Sequence, residues 1–172
     1  MNSSKKLLSI VIPVYNEEKT ISAVLDRLNQ LEIPHVDKEI LVVDDGSKDK
    51  SVKIVEAKKS KIKGLKLIVH EKNSGKGAAV QTGLKAATGD VLMVQDADLE
   101  CDTNDIPKLL EPILRGEAQI VYGTRLRRMP NLKKEERNMR FMLHYWGNRS
   151  LSLITSILYG SWITDMETCY KL

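Results

Sequence analysis

Three absences limit what the 172-residue sequence can encode: it has two cysteines, 5% aromatic residues and no run of 18 apolar residues. Cys101 and Cys169 are far apart and neither belongs to a CxxC pair, so no zinc site is predicted and a reducing, cytoplasmic setting is the simplest. Without a long apolar run, no transmembrane helix is predicted within these residues. The remaining composition, 42% hydrophobic and 29% charged, is ordinary for one globular domain.

Positive charge is concentrated in one segment. The formal net charge is +4, but residues 125–149 alone carry +6, which leaves −2 for the rest of the chain. A concentrated basic segment favours a phosphate-bearing partner or a membrane surface. A merely solvated charged stretch explains the composition equally well at this point.

Short β-branched apolar runs alternate with segments of helical periodicity. Strands are predicted at 8–15, 39–45, 65–71, 90–96 and 118–124. Helices are predicted at 17–31, 51–59, 75–87, 103–116 and 139–158, the fourth with Thr103 or Asn104 as its cap. Small residues in the third helix should allow it to pack closely on a sheet. Strands that are apolar on both faces and alternate with helices predict a mostly parallel sheet covered on both sides.

Polar side chains follow nearly every predicted strand, in PVYNEE, DDGSKDKS, EKNSGKG, QDADLE and GTR. The carboxyl ends of parallel strands form the ligand-binding edge of such sheets, so these segments are expected to meet. Asp96, Asp98 and Glu100 alternate directly after the fourth strand. Because hard divalent cations prefer oxygen ligands, these three acids predict a Mg²⁺ or Mn²⁺ site. A turn held by Asp side chains is the alternative.

Two other strand ends carry weaker signals. Asp45 in DDGS is placed to accept hydrogen bonds from a base or a ribose, although DDGS also fits a plain turn in which Ser47 caps the next helix. NSGKG meets neither phosphate-loop pattern in full and predicts only a flexible loop that presents Lys76 to a phosphate or carboxylate. Ordinary surface or packing roles are expected for all three histidines (His35, His70, His144).

The set of motifs resembles one enzyme family. In order, VIPVYNEEKTI, VVDDGSKD, NSGKGAAVQTGLKAATGD, VQDADLE, IVYGTR and DMETCYKL are similar to segments of family 2 glycosyltransferases, closest to the dolichol-phosphate mannose synthases and related polyprenyl-phosphate glycosyltransferases. The resemblance implies a GT-A fold, an α/β fold with a mostly parallel central sheet flanked by helices. It implies a single catalytic domain over 1–172, cut short at its carboxyl end. It also implies a nucleotide-sugar donor of the GDP-mannose or UDP-glucose class, Mg²⁺ or Mn²⁺, and transfer with inversion to a polyprenyl or dolichyl phosphate.

Residue roles follow from the same resemblance, position by position. Nucleoside-binding positions are matched by Pro13, Tyr15, Glu17, Val43 and Asp45. The metal-binding D-x-D is matched by Asp96 and Asp98, with Ala97 lining the donor site. Catalytic roles are implied for Asp96, Asp98, Arg125, which matches a phosphate-contacting arginine, and Asp165, which matches the acid of a D-x-x-[TS]-x-x-K block. Arg137 and Arg140 in the basic segment are expected to position the lipid phosphate. Glu100 stands where mannose synthases often have Gln, which weakens a mannosyl assignment.

The implied partners place the protein at the cytoplasmic face of a membrane, in peripheral contact with it, and no nucleic-acid partner is expected. A membrane anchor or partner subunit would then lie outside these residues. The apolar stripe of the 139–158 helix fits either the bilayer interface or core packing, and core packing is favoured. Two other functions stay open: a family 2 transferase with a saccharide or protein acceptor, and a non-catalytic receiver-like signalling domain. Receivers carry their acidic pair after the first strand, whereas Asp44 and Asp45 follow the second.

Overall fold

A computed structural model of the chain describes residues 5–123, 139–160, 170 and 172. The chain divides into two compact units, Met1–Val121 with Tyr170–Leu172, and Tyr122–Cys169. In the first unit the strands are β1 (Lys6–Val14), β2 (Val36–Asp44), β3 (Leu65–Val69) and β4 (Val91–Val94), and the helices are α1 (Ile21–Gln30), α2 (Ser51–Lys59), α3 (Lys76–Ala86) and α4 (Ile106–Leu114). The second unit contains α5 (Met139–Tyr159). The prediction of one domain over 1–172, cut short at its end, stays a prediction.

The four strands form one parallel sheet in the order β3-β2-β1-β4, which confirms the predicted sheet type. Val14 of β1 pairs with Asp44 of β2, and Asp44 pairs with Val69 of β3, so these three strands end at one level. Strand β4 ends opposite Val11, three residues earlier on β1. The residues after β4 therefore leave the sheet about three residues before the level at which the other strands end.

Helix α3 packs directly on the central strands because it carries glycine where it crosses them. A Cβ on Gly83 would lie 2.3 Å from Val11 Cγ1 and 3.2 Å from Val43 Cγ2, distances at which a methyl group does not fit. The expectation that small residues allow close packing of this helix is confirmed. The close approach sets the position of α3 relative to β1 and β2, and Lys76 is the first residue of this helix.

Two sequence expectations about local structure are wrong. The run at 118–124 forms no extended strand over its described residues 118–123; Val121 instead exchanges two 3.0 Å backbone hydrogen bonds with Leu172. The run is apolar, but Ile120 is 65% exposed, so burial does not hold it in a sheet. At the start of the fourth helical segment a 3₁₀ turn precedes α4, and its cap is Asp102, whose Oδ1 accepts from Asn104 N at 3.0 Å.

Helix α5 confirms the helix predicted from 139 to 158, and Gly160, with a φ of +63°, follows its end. The favoured interpretation of its stripe as core packing is wrong for its second half. There the apolar side chains of Leu153, Ile154, Ile157 and Leu158 are 53–73% exposed. Among the residues that the structure describes, no helix is both long enough and apolar enough to span a membrane.

Candidate functional site

A cleft of about 270 Å³ lies at the carboxyl edge of the sheet. Its walls come from the segments that follow β1, β2 and β4, together with the loop before α3 and the first turn of α3. The lining residues are Pro13, Val14, Tyr15, Glu17, Asp45, Asn73, Lys76, Ala79, Asp96, Ala97 and Asp98. The expectation that the segments after the strands meet at one edge of the sheet is therefore confirmed for most of the predicted site residues. Val14, Asn73 and Ala79 also line the cleft and were not among the predicted site residues.

The loops after β1 and β2 hold each other in place. Asn16 adopts a positive φ of 57° and donates its backbone N–H to Ser47 Oγ at 2.9 Å. Glu17 donates its backbone N–H to Ser51 Oγ, also at 2.9 Å. The predicted helix cap by Ser47 is thus wrong: its hydroxyl bonds to the other loop, while its own N–H donates to Asp44 Oδ1 at 2.8 Å. Tyr15, directly before these bonded residues, is 43% exposed and lines the cleft.

Asp45 is 2% exposed and organises the loop before α3. Its carboxylate accepts from Ser74 N (3.0 Å to each oxygen) and from Gly75 N (2.7 Å), and lies 2.8 Å from His70 Nδ1. Burial by itself would raise the pKa of Asp45, but the hydrogen bonds from His70, Ser74 and Gly75 outweigh it and lower that pKa. Asp45 therefore stays ionised at neutral pH and fixes the NSG turn.

The role of His70 was missed at the sequence level, where an ordinary packing or surface role was expected. His70 is the first residue after β3, and its backbone N–H donates to Asp44 O at 2.9 Å. Its ring bridges Asp45 and, through Nε2, the hydroxyl of Thr82 on α3 at 3.0 Å. The signal that could have found it is its position, because it ends a strand at the same edge as the acidic residues.

The acids that follow β4 divide between two places. Asp96 and Asp98 both line the cleft, with Asp96 partly buried and Asp98 exposed. Asp96 Oδ1 lies 2.6 Å from Lys76 Nζ, an ion pair that joins the β4 end to α3. Glu100 follows Leu99, whose φ is +65°, and it lines a separate depression with Arg27. Glu100 does not line the cleft with the other two acids, and its predicted role as a third metal ligand stays a prediction.

A divalent metal fits the two remaining carboxylates. In the described part of the chain no group of three or more His, Cys, Asp or Glu residues could hold a metal by itself. Mg²⁺, however, commonly binds one or two carboxylates and takes its other ligands from water and substrate phosphates. Asp96 already holds a cationic group on the cleft side, which shows that its carboxylate is accessible to a cation. Asp96 and Asp98 thus suit a metal whose coordination a bound diphosphate completes.

The other predicted residues have different positions. Val43 is fully buried within β2 and is not among the lining residues of the cleft, so its predicted nucleoside-binding role stays a prediction. Arg125, Arg137 and Asp165 lie outside the described residues. Arg140 belongs to α5, but its side chain is also outside what the structure describes. The expected roles of these four residues stay predictions.

Comparison with known proteins gives a consistent family match. The family model described as glycosyl transferase family 2 matches residues 9–170. A UDP-N-acetylglucosamine–dolichyl-phosphate N-acetylglucosaminyltransferase of Methanococcus voltae is 35% identical, over 95% of this chain and 67% of its own. A dolichol-phosphate mannosyltransferase of Pyrococcus furiosus is 37% identical, over 69% of this chain and 33% of its own.

Solved structures confirm the fold. The glucosyl-3-phosphoglycerate synthase of Mycobacterium tuberculosis, in complex with Mn²⁺, UDP-glucose and phosphoglyceric acid, matches with a TM-score of 0.68 and 26% identity. The match covers 96% of this chain and 56% of that one, so this chain spans only about half of that enzyme and a third to two thirds of the two relatives. The predicted GT-A fold is confirmed.

Proposed function

Because the chain belongs to glycosyltransferase family 2, we propose that it transfers a sugar from a nucleotide-sugar donor to a polyprenyl or dolichyl phosphate, with inversion and with a divalent metal. The family match over residues 9–170 removes the receiver-like alternative. The observation that carries the proposal is the cleft at the carboxyl edge, where Tyr15, Asp96 and Asp98 meet. A stacking surface beside two carboxylates suits a nucleoside followed by a metal-bound diphosphate.

The donor is proposed to lie along the cleft. Tyr15 would contact the base or ribose, and Glu17, which accepts a 2.6 Å hydrogen bond from Thr20 on one oxygen, has its other oxygen for a ribose hydroxyl. Ala97, which lies between the two acids in the sequence, is buried in the cleft lining and would line the sugar pocket. Asp45 lines the cleft, but its carboxylate is already bonded to the NSG turn, so we propose that it shapes the donor site rather than recognising the base.

Asp96 and Asp98 would hold Mg²⁺ or Mn²⁺ against the diphosphate. When bound, such a metal neutralises the charge that builds on the departing nucleoside diphosphate. Arg125 would add a second positive charge at the same phosphates. A lipid phosphate is already ionised near neutral pH, so the acceptor needs little help from a general base. The residues of the cleft therefore need mainly to bind and orient the two substrates.

The acceptor is the least constrained part of the proposal. A polyprenyl phosphate is supported by the two relatives whose names state a dolichyl or dolichol phosphate, and by the basic segment at 125–149. Arg137 and Arg140 would then position the lipid phosphate at the cytoplasmic face of a membrane. A small phosphorylated acid is the second candidate, because the solved structure that covers 96% of this chain belongs to a glucosyl-3-phosphoglycerate synthase. A saccharide or protein acceptor, which the sequence also allowed, has less support.

A transfer assay with two acceptors separates these candidates. The chain would be incubated with Mn²⁺ and radiolabelled UDP-glucose, UDP-N-acetylglucosamine or GDP-mannose, with polyprenyl phosphate in detergent or with 3-phosphoglycerate. We expect label in the organic phase only with the lipid, and loss of that label in the Asp98→Asn variant. Label that enters an aqueous product with 3-phosphoglycerate and never the lipid would overturn the lipid acceptor.

A further inference from the structure

Lys76 is held so that its ammonium group sits on a predicted metal ligand. It is the first residue of α3, directly after Gly75, whose N–H is bound by buried Asp45 at 2.7 Å. Its Nζ lies 2.6 Å from Asp96 Oδ1. Asp96 is fixed from the other side, because the preceding residue, Gln95, donates its N–H to Val11 O of β1 at 2.9 Å. The backbone is thus held at both residues while the lysine side chain stays mobile in solvent, and both residues line the cleft.

This ion pair and a metal would compete for the same carboxylate. A divalent cation bound to Asp96 would lie close to the ammonium group that now contacts Oδ1, and the two positive groups would repel each other at that distance. The side chains of Lys76 and Asp96 are 63% and 29% exposed, and such solvent-exposed pairs are weak. The long lysine stem can therefore leave Asp96 at little cost and reach another anion in the same cleft.

We propose that Lys76 is a resident counter-cation of Asp96, which a divalent metal displaces and which then pairs with the diphosphate of the bound nucleotide. The inference rests on the proposed function, since it takes that diphosphate as the second partner. This exchange couples the binding of metal to the binding of nucleotide. A metal that binds alone leaves the ammonium group of Lys76 without an anionic partner, whereas a nucleotide bound with the metal supplies its diphosphate as a new partner. By thermodynamic reciprocity, each ligand then strengthens the binding of the other.

The test uses three variants of the whole chain. Lys76→Met removes the charge and keeps an unbranched side chain with good helix propensity, and Lys76→Arg keeps the charge. Lys85→Met is the matched control, because Lys85 is an exposed residue in the last turn of the same helix, about 13 Å away along its axis. Circular dichroism and thermal melting establish that each variant is folded.

Two affinities are measured: that of Mn²⁺ alone, from the electron paramagnetic resonance of free Mn²⁺, and that of UDP and GDP at saturating Mn²⁺, by calorimetry. In Lys76→Met we expect Mn²⁺ alone to bind about three- to tenfold more tightly, since a nearby positive charge is gone, and the nucleotide to bind about tenfold more weakly. Lys76→Arg and Lys85→Met should stay within about threefold of the wild type in both measurements.

A rise in Mn²⁺ affinity together with a fall in nucleotide affinity in Lys76→Met would show that Lys76 exchanges Asp96 for the diphosphate. Unchanged or weaker Mn²⁺ binding in Lys76→Met would overturn the proposal, as would an absence of Mn²⁺ binding in every form. Tighter Mn²⁺ binding with unchanged nucleotide affinity would overturn the transfer of Lys76 to the diphosphate. If the wild type binds Mn²⁺ but neither nucleotide, the proposed function fails, and with it the pairing of Lys76 with the diphosphate. Tighter Mn²⁺ binding in Lys76→Met would in that case still establish Lys76 as the counter-cation of Asp96.

Discussion

Replacing Asp45 by asparagine should destabilise the fold strongly, even though the two side chains have nearly the same shape. The buried carboxylate serves three donors: Ser74 N, Gly75 N and the His70 ring. Asparagine offers one oxygen, so at least one donor would face an NH₂ group. Weaker neutral hydrogen bonds and one unsatisfied donor together cost about 3 kcal/mol. For a chain of this size that corresponds to a fall in Tm of roughly 6–12 °C.

Urea denaturation at pH 7 measures this loss, with Asp26→Asn as the control. Asp26 also pairs with a cation, Lys58, but its side chain is 54% exposed, so its loss should cost less than about 1 kcal/mol. The difference between Asp45→Asn and wild type should also depend on pH. The pKa of Asp45 is lowered in the fold from 3.8, so its stabilisation is complete above that value and is lost as the pH falls through the lowered pKa. A loss no larger than that of the control, or one independent of pH, would refute this account of Asp45.

Two further predictions concern the scaffold. The Glu39→Gln variant should lose about 3 kcal/mol at pH 7, because the pKa of Glu39 is lowered from 4.5 to about 2 in the fold. Burial alone would raise this pKa, but hydrogen bonds from Lys66, Ser9 and Thr88 outweigh it, so the wild type should lose this advantage between pH 4.5 and 2 in acid titrations of stability. Gly83→Ala would put a methyl carbon 2.3 Å from a side-chain carbon of β1 and should cost about 1–3 kcal/mol in denaturant melts; a neutral effect would contradict the close helix–sheet contact.

The central strands were predictable because β1 and β2 are buried on both faces over most of their length and so appear as continuous apolar runs. The run at 118–124 has a similar composition, but Ile120 is 65% exposed, and the run bonds through Val121 to Leu172 instead of joining the four-stranded sheet. Hydrophobic periodicity does not show which neighbour a run will pair with. The start of α1 at Ile21 rather than 17 has a similar cause, because the residues before it bond to the loop after β2.

The cleft was predictable from one topological rule, whereas the use of each side chain was not. The rule that ligands bind at the carboxyl ends of parallel strands correctly predicted that Tyr15, Asp45 and Asp96 lie in one cleft. It could not show that the Asp45 carboxylate is occupied by backbone N–H groups. It also could not show that the positive φ of Leu99 places Glu100 in a different depression. Such details depend on loop geometry, which single-residue patterns do not encode.

The most direct test of the central claim is nucleotide binding by the chain in the presence and absence of metal. In calorimetry with UDP and GDP, the wild type should bind at least one nucleotide in Mn²⁺ and lose most of that affinity in excess chelator. Asp98→Asn should lose the metal-dependent part while melting within a few degrees of the wild type, because Asp98 is exposed. Nucleotide affinity that is the same with and without metal, or unchanged in Asp98→Asn, would contradict a metal-bridged donor site.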